Sequence, residues 1–424
     1  MTPAAAAILF AFAAVFLAHQ YYGLPVTSDA AELARQSQFL ESHQSLAVPS
    51  TASGAGNAGY PPFFAILLSE MHLLAGVWHF DALALLSYAF TLALVLCTML
   101  LARRMGCSET EAVLAGACTV FMPLLFYRMV TPIAETLGLF LFALAVYSFD
   151  SRKYGAAFFV LLLLPLSHYR SFAVAAASIL AMAAISGRLK HAVAVLAVPS
   201  LLYLIVVPKT AAGFANPWVI EQSAPDVFGL LVLAAAGAGL IYSLLAKKEG
   251  IDGISASLVV AFALTFVIAP FPFRQLAYLF PVAAKYASKI ASVDFRVTAS
   301  FLILGSLAVV QATAYRTAPF SQPDIAAFTA IDSLSGSVVA APFRESNILP
   351  LYSQKTVVAG AFAESLPDGK QRLQDTWAYF HRAICAAGAG LVRNYGVSLF
   401  VNPPSSCSFS AKVLDNGKLR VFEP

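Results

Sequence analysis

Long apolar runs alternate with short polar segments from the start of the chain to about residue 316. The apolar runs lie at 3–19, 82–101, 111–127, 133–149, 155–167, 171–187, 191–208, 227–246, 253–270, 277–292 and 297–314. Most of them approach the ~20 residues that an α-helix needs to cross ~30 Å of hydrocarbon. The pattern therefore predicts a polytopic α-helical membrane protein with about eleven transmembrane helices.

The pattern changes after residue 316 to that of a small α/β domain. Helical patterns at 325–334 and 370–387 alternate with strand-like runs at 337–341, 356–361 and 395–401, and 412–422 is typical of a hairpin split at Asp415-Asn416-Gly417. We therefore predict two domains, a transmembrane domain over 1–316 and a C-terminal α/β domain over 317–424.

Composition supports the membrane class and excludes others. Hydrophobic residues make up 59% of the chain and charged residues 11%, whereas soluble proteins carry about a quarter charged residues. The net charge of +4 is spread along the chain, so we expect no nucleic-acid partner. The five cysteines show no CxxC spacing and no adjacent histidines, which argues against a zinc site.

Lysine and arginine are unequally distributed between the two sets of loops. With eleven spans, and with 61–77 taken as a helix that does not cross, one set holds Arg103, Arg104, Arg152, Lys153, Arg188, Lys190, Lys247, Lys248, Lys285, Lys289 and Arg296. The other set holds Arg35, Arg128, Arg170, Lys209 and Arg274. The positive-inside rule places the richer set in the cytoplasm. The loop at 20–60 and the tail from about 317 then face outward.

The outward-facing set also carries many ionisable residues inside or beside apolar helix ends. They are Asp29, Glu32, Arg35, Arg128, Glu135, His168, Arg170, Asp226 and Arg274. Ionisable groups at membrane depth are costly, so they are usually functional or paired. The alternative is that each side chain extends to the interface and is solvated there.

Short motifs in a fixed order carry a family resemblance. They are Thr27-Ser28-Asp29-Ala30-Ala31-Glu32, Gly59-Tyr60-Pro61-Pro62-Phe63, Tyr127-Arg128, Pro132-Ile133-Ala134-Glu135, Ser167-His168-Tyr169-Arg170-Ser171 and Arg274-Gln275-Leu276-Ala277-Tyr278-Leu279-Phe280-Pro281. This arrangement resembles the GT-C superfamily of membrane glycosyltransferases, which use sugars carried on polyprenyl phosphates. The tail, with Tyr395-Gly396-Val397 and its closing hairpin, is similar to the small outer domain of that superfamily. An unrelated globular cap is the alternative for the tail.

The resemblance implies an activity and its partners. It implies an inverting transfer of a hexose or pentose from a polyprenyl-phosphate donor to a lipid, glycan or protein acceptor, in a mannosyltransferase-like enzyme of the plasma membrane. The chain has no D-x-D, and Trp377 stands in the nearest tail counterpart of a W-W-D motif. Both departures argue against an oligosaccharyltransferase. They also leave open whether a divalent metal, Mg²⁺ or Mn²⁺, takes part.

Two other functions remain as alternatives. A transporter or flippase of a lipid-linked substrate would also need ionisable groups in a polytopic bundle, but the internal repeats typical of transporters are not visible in the sequence. A non-catalytic membrane anchor for the outer domain would leave the ionisable residues on one face unexplained.

Acidic residues are the candidates for the proton transfer. An inverting transfer needs a carboxylate to accept the acceptor's proton. The resemblance places Asp29 in that role, and the alternative is an N-cap of the helix that follows. Glu32 lies in the same segment. Glu135 is a candidate to position the acceptor or a metal, although a first-turn acid also suits the helix dipole.

Basic and aromatic residues are the candidates for the leaving phosphate. Arg274 is the first candidate to bind this phosphate, and Arg170, His168 and Arg128 are the next candidates. The alternative for each residue is that it anchors a helix end at the membrane interface. Tyr60 and Tyr278 are predicted to line the site, although interfacial belts also favour tyrosine. Cys385 and Cys407 would lie in an oxidising space, and whether they pair is left open.

Overall fold

The computed structural model describes most of the chain. The described residues are 3–22, 28–45, 62–130, 133–206, 227–247, 249–268, 272–314, 322–359, 368–409, 411–415 and 419–424. The chain divides into two compact units, which we describe separately. The first comprises Met1–Pro25, Asp81–Val207 and Glu221–Ala318, and the second comprises Val26–Phe80, Pro208–Ile220 and Pro319–Pro424.

Helices dominate the fold. Up to the middle of the chain they are α1 (Pro3–Tyr22), α2 (Ser28–His43), α3 (Phe63–Ala75), α4 (His79–Arg104), α5 (Glu109–Val120), α6 (Pro123–Val130), α7 (Ala134–Asp150), α8 (Tyr154–Ser167), α9 (Tyr169–Ile185) and α10 (Leu189–Val206). They continue with α11 (Leu230–Leu245), α12 (Gly253–Ile268), a 3₁₀ helix (Pro272–Leu279), α13 (Phe280–Ala291), α14 (Phe295–Ala314), α15 (Gln322–Ile331), α16 (Phe343–Tyr352), α17 (Gly369–Phe380) and α18 (Cys385–Tyr395).

The predicted apolar runs coincide with helices of the first unit, but their lengths vary. Among the described residues, two helices are each long and apolar enough to cross a bilayer: α4, from Asp81 onward, and α10. The helices α5 and α6 reach the length of a span only when they are taken together as a bent pair. Several other apolar helices, including α8, α9, α11 and α12, are shorter. The first unit is therefore built mostly of apolar helices, two or three of which among the described residues are of spanning length, and the predicted number of about eleven spans is not confirmed.

The run predicted as one span at 111–127 is two helices. The axes of α5 and α6 meet at an angle of 71°. Pro123 is the first residue of α6, and proline lacks the N–H that would continue the hydrogen bonds of α5. The start of α5 is fixed by a capping box, in which Ser108 and Glu111 each accept the other's backbone N–H.

The segment predicted as a span at 277–292 is also divided. The chain runs as a 3₁₀ helix to Leu279 and becomes α-helical at Phe280. Pro281 lies in the first turn of α13, where its fixed φ is favourable. With 12 residues, α13 extends about 18 Å.

Two buried lysines on α13 have acidic partners. Lys285 pairs with Asp252, and Lys289 pairs with Glu249. Asp252 also accepts the backbone N–H of Ser255 at 2.9 Å, so it caps α12 as well. These contacts join α13 to the segment before α12.

A five-stranded sheet lies in the second unit, in the C-terminal region. The strands are β1 (Val338–Ala340), β2 (Thr356–Val357), β3 (Leu399–Val401), β4 (Ala411–Asp415) and β5 (Arg420–Glu423), in the order β2-β1-β3-β5-β4. β1 is parallel to β2 and β3, whereas β5 is antiparallel to β3 and β4. The antiparallel pairing of β4 with β5 agrees with the hairpin predicted at 412–422, and Asn416 and Gly417 of the predicted turn lie outside the described residues.

Helices cover both faces of this sheet. Val339, Leu399 and Val401 pack with α15 and α16 on one face, whereas Val338, Ala340 and Phe400 pack with α17 and α18 on the other. Successive side chains of a strand point to opposite faces, which explains why β1 and β3 are buried at every position. The predicted α/β character of the tail is confirmed.

The tail differs from the prediction in its helices. The helix predicted at 370–387 is interrupted between α17 and α18, where Ala383 has a φ of 53°. The helix α16 was not predicted, because Pro350 lies inside it and weakens the helical pattern. Cys385 and Cys407 form a disulfide.

Candidate functional site

A buried ion pair joins the end of α6 to the start of α7. Arg128 lies in the last turn of α6, and its Nη2 atom is 2.7 Å from the Oε2 atom of Glu135 in the first turn of α7. Their side chains are only 7% and 8% exposed. The hydroxyl of Thr136 donates to the carbonyl of Arg128 at 2.9 Å and accepts the N–H of Ile133 at 3.2 Å. These bonds fix the geometry in which the two charges meet.

A second buried polar group joins α9 to the 3₁₀ helix. The Nδ1 atom of His168 is 2.8 Å from the hydroxyl of Ser171, and this hydroxyl is 2.7 Å from the phenol oxygen of Tyr278. The phenol oxygen also lies 3.4 Å from His168 Nδ1. All three hydrogen bonds are buried, and the group forms a small network. Two residues predicted from separate motifs, His168 and Tyr278, are thus brought together.

The two groups lie along one face of α7. Gly138 follows Glu135 by three residues, and Phe142 follows Gly138 by four, so these positions share a helix face. A Cβ atom on Gly138 would lie 2.4 Å from Ser171 Oγ and 2.7 Å from His168 Cβ. The ring of Phe142 packs edge-on against Tyr278 with centroids 5.1 Å apart. Glycine at position 138 therefore allows the His168 network to pack directly against α7.

Further polar atoms lie close to this network in sequence. Gln275 is buried and precedes Tyr278 by three residues in the 3₁₀ helix, so the two share one edge of it. Its Oε1 atom is buried without a hydrogen-bond partner among the described residues. The guanidinium of Arg170 lies 5.8 Å from the centre of the Tyr169 ring.

The acids after the first helix belong to the second unit. Glu32 on α2 is 2% exposed, accepts from Arg35 at 2.7 and 2.9 Å, and also accepts from Gln36 at 3.0 Å. Its carboxylate is therefore held within α2. Asp29 is the second residue of α2, so it lies in the first turn and not at the N-cap, which precedes a helix. Its side chain lies outside the described part.

A cleft of about 610 Å³ in the second unit runs beside α2. It is lined by Arg35, Gln38, Phe39 and Ser42 of α2, together with Asp332, Pro350, Leu351, Tyr352, Ser353, Gln354, Lys355 and Thr356. Aromatic rings, amides and charges of both signs thus surround a space large enough for a small molecule.

Two predicted site residues lie partly or wholly outside the described part of the chain. Arg274 lies in the 3₁₀ helix next to Gln275, and only its backbone is described. Tyr60 lies outside the described residues.

The described part of the chain contains no evident metal-binding site. No group of three His, Cys, Asp or Glu side chains there is arranged to hold an ion. The carboxylate of Glu135, proposed from sequence as a possible metal ligand, is instead paired with Arg128. The described residues therefore do not fit a divalent metal.

Sequence reasoning missed three residues of this region. Ser171 and Gln275 belong to motifs that carry the family resemblance, but no function was predicted for either residue. No function was predicted for Gly138. A glycine in the middle of an apolar helix is a signal of close packing. Nothing in the sequence indicates which partner approaches it, since Ser171 lies on a different helix.

Comparison with known proteins reveals similarity in structure only. No protein-family model matches the sequence, and no curated protein matches it significantly. Among solved structures, the apo oligosaccharyltransferase of Archaeoglobus fulgidus superimposes with a TM-score of 0.67 at 12% identity, over 94% of this chain and 69% of that one. ArnT from Cupriavidus metallidurans bound to undecaprenyl phosphate superimposes with a TM-score of 0.63 at 12% identity, over 99% of this chain and 97% of ArnT.

A third similar structure is the mycobacterial arabinofuranosyltransferase AftD. It gives a TM-score of 0.59 at 16% identity, over 99% of this chain and 39% of AftD. These proteins all belong to the GT-C superfamily. The predicted resemblance is therefore confirmed at the level of the fold, which extends over almost the whole chain.

Proposed function

We propose that this chain with a GT-C fold is a membrane glycosyltransferase that moves a sugar from a polyprenyl-phosphate carrier to an acceptor. The observation that carries the proposal is the buried series of polar groups that pack along α7, in a fold shared with a protein that binds undecaprenyl phosphate. The transferred group is a hexose or pentose, and the acceptor is a lipid, a glycan or a protein.

The transfer needs a base and a stabilised leaving group. Asp29 accepts the proton of the acceptor hydroxyl as its oxygen attacks the anomeric carbon. The bond from that carbon to the phosphate oxygen breaks, and polyprenyl phosphate leaves with the bonding electrons. Attack from the face opposite the phosphate inverts the anomeric configuration.

Cationic and polar groups of the first unit are suited to bind the phosphate of the polyprenyl carrier. Arg274 supplies a guanidinium whose parallel N–H groups match two phosphate oxygens. Arg170 and the His168 network, which includes Tyr278, supply further donors. Arg128 is the weakest candidate of the set, because Glu135 already neutralises its charge. We assign Glu135 the task of holding Arg128 and the adjoining turn.

The acceptor is proposed to use groups of the second unit. The cleft beside α2 offers Phe39 and Tyr352 for stacking on a sugar ring, and Arg35 with Asp332 for hydroxyl groups. Glu32 is bonded to Arg35 and Gln36, so its role is to support this side of α2.

We propose the orientation of the chain in the membrane from the distribution of its basic residues. The enrichment of lysine and arginine in one set of loops supports a plasma-membrane protein whose 20–60 loop and C-terminal domain are extracytoplasmic. The disulfide between Cys385 and Cys407 suits an oxidising compartment.

A transfer assay tests the proposal. Purified full-length protein is incubated with radiolabelled sugars on polyprenyl phosphate and a panel of acceptors, and both the glycosylated product and the released polyprenyl phosphate are counted. We expect the two to appear in equal amounts. In proteoliposomes, movement of the intact donor between leaflets without loss of sugar would instead establish a flippase.

A further inference from the structure

A second charged cluster lies at the far end of α7. Asp150 ends this helix, 15 residues after Glu135, which corresponds to about 22 Å along the axis. The residues between them on α7 carry no charge. The separation is about three quarters of the ~30 Å thickness of a hydrocarbon layer, so the two charged groups of α7 lie toward opposite ends of an apolar helix.

The cluster forms a cleft of about 550 Å³. Its lining includes Arg104, Asp150, Arg152, Tyr154, Arg188 and His191. Three guanidinium groups thus face one carboxylate. The cleft has a net positive charge of about two even with the imidazole neutral, which suits a ligand of opposite charge.

The single carboxylate is shared by two of the arginines. Asp150 lies 2.6 Å from Arg104 Nε and 3.7 Å from Arg188 Nη2. Arg188 also donates to Ser186 Oγ at 2.7 Å. Arg152 forms no ion pair or hydrogen bond through its side chain with any residue that the structure describes. The positive charge of Arg152 is therefore uncompensated within the described part of the cleft.

The backbone of Arg152 has a conformation that usually requires glycine. Its φ is 61°, and it follows α7, where its N–H bonds the carbonyl of Phe149 and the next N–H bonds that of Ser148. Glycine or asparagine is favoured at this left-handed position, because a Cβ atom there is strained. A long cation occupies the position despite that cost.

His191 adds a polar atom without a protein partner. Its ring stacks on Tyr154 with centroids 4.5 Å apart and planes 18° apart. Its Nδ1 atom is buried and has no hydrogen-bond partner among the described residues. A buried polar atom left without a partner is costly, and a ligand oxygen in the cleft would provide one.

Exposed apolar surface continues along α10 from the cleft. Val198 follows His191 by seven residues, so the two share one face of α10. The side chain of Val198 is 53% exposed. An acyl chain can therefore lie along this face while the polar head of the ligand enters the cleft.

We propose that this cleft binds the phosphate of an anionic phospholipid. Arg152 and Arg104 contact the phosphate oxygens, His191 provides a further hydrogen bond, and the acyl chains pack against α10. Basic clefts between transmembrane helices suit anionic headgroups. The site is separate from the transfer site and does not depend on the chemistry proposed there.

Lipid binding to full-length variants tests the site. Protein in neutral detergent is titrated with phosphatidylglycerol or phosphatidylcholine, and bound lipid is counted by native mass spectrometry while thermal melting is followed. We expect saturable binding of phosphatidylglycerol alone. Arg152→Gly should weaken it about fivefold, the effect of one cation near a headgroup. This variant should melt no lower than wild type without lipid, because glycine relieves the left-handed backbone.

A second variant and a control make the test specific. His191→Phe keeps the stack on Tyr154 but removes the ring nitrogens, and it should also weaken binding. Lys190→Ala removes an exposed cation of the same helix that does not line the cleft, and it should bind like wild type. Equal loss in Lys190→Ala, equal binding of phosphatidylcholine, or undiminished binding in Arg152→Gly would overturn the proposal. If millimolar inorganic phosphate raised the melting temperature as much as phosphatidylglycerol, a soluble-anion site would replace it.

Discussion

The Arg128–Glu135 pair limits what either residue can contribute to catalysis. Both side chains are buried, and each neutralises the other. A buried charge that loses its partner is more costly than an intact pair. Changes at these residues therefore affect stability as well as activity, which separates them experimentally from Asp29.

Glu135→Gln should lower the free energy of unfolding by about 3–5 kcal/mol, because it leaves the Arg128 charge buried without its carboxylate. The double variant Arg128→Met with Glu135→Gln should recover much of this loss. Thermal melting of the purified variants measures both effects. A double variant as unstable as the sum of the singles would show that the two residues do not act as a pair.

Asp29→Asn should reduce sugar transfer by about 10²–10⁴-fold, the usual effect of losing a general base. Its melting temperature should stay close to wild type, since asparagine keeps the size of the side chain and loses only the helix-dipole stabilisation of a first-turn acid, about 0.3–1 kcal/mol. Glu109→Gln, which removes an exposed first-turn acid of α5, serves as the control and should retain full activity. Near-normal turnover of Asp29→Asn would exclude Asp29 as the general base.

Arg274→Lys should raise the donor concentration needed for half-maximal rate, and Arg274→Ala should raise it further. Lysine keeps the charge but cannot form the two parallel hydrogen bonds of a guanidinium to phosphate. Arg296→Lys, at an exposed position near the start of α14, is the matched control. An interfacial anchor would tolerate lysine, so a wild-type donor dependence for Arg274→Lys would move the phosphate assignment to Arg170.

At the scale of elements, α7 organises both the candidate site and the anionic cleft. Its first turn holds Glu135, its middle carries Gly138 and Phe142 against the His168 network, and its last residue is Asp150. A rigid helix fixes the distance between its two charged ends.

Gly138→Ala should destabilise the protein by about 1–3 kcal/mol, because the new methyl group overlaps Ser171 and His168. It should also reduce transfer by displacing the hydrogen-bonded network. Gly155→Ala on α8 meets no atom within 4 Å, so alanine should instead stabilise its helix by about 0.5–1 kcal/mol. Melting temperatures and rates of the two variants measure this contrast. Equal behaviour would mean that α7 and α9 pack less closely than the structure indicates.

At the scale of the whole molecule, sidedness determines which partners each unit can meet. Single cysteines at Ser50 and Ser365 should react with an impermeant thiol reagent in intact cells. A cysteine at Lys153, in the richer set of basic loops, should react only after permeabilisation. Cys97, Cys107 and Cys118 are buried, so the background should be low. Labelling of only one of the two outer positions would overturn the proposed topology.

Local patterns predicted the positions of most elements. Apolar runs become helices because a backbone in lipid must satisfy its own hydrogen bonds, and α7 to α10 follow their predicted runs closely. The antiparallel pair of β4 and β5 was predicted from the turn signal Asp415-Asn416-Gly417 between two strand-like runs. The bend between α5 and α6 was missed although Pro123 was visible, because hydropathy alone does not distinguish a straight helix from a broken one.

The sequence by itself determined the membrane class, the α/β tail and the residue types available for chemistry. Only the tertiary structure decided which of these residues meet. Ser171 and Tyr278 are 107 residues apart in the chain and are hydrogen-bonded to each other. The sequence left open whether Cys385 pairs with Cys407, and the structure shows the disulfide. Such contacts depend on how helices pack and on which face each presents. Periodicity within one segment fixes a face but not the partner that covers it.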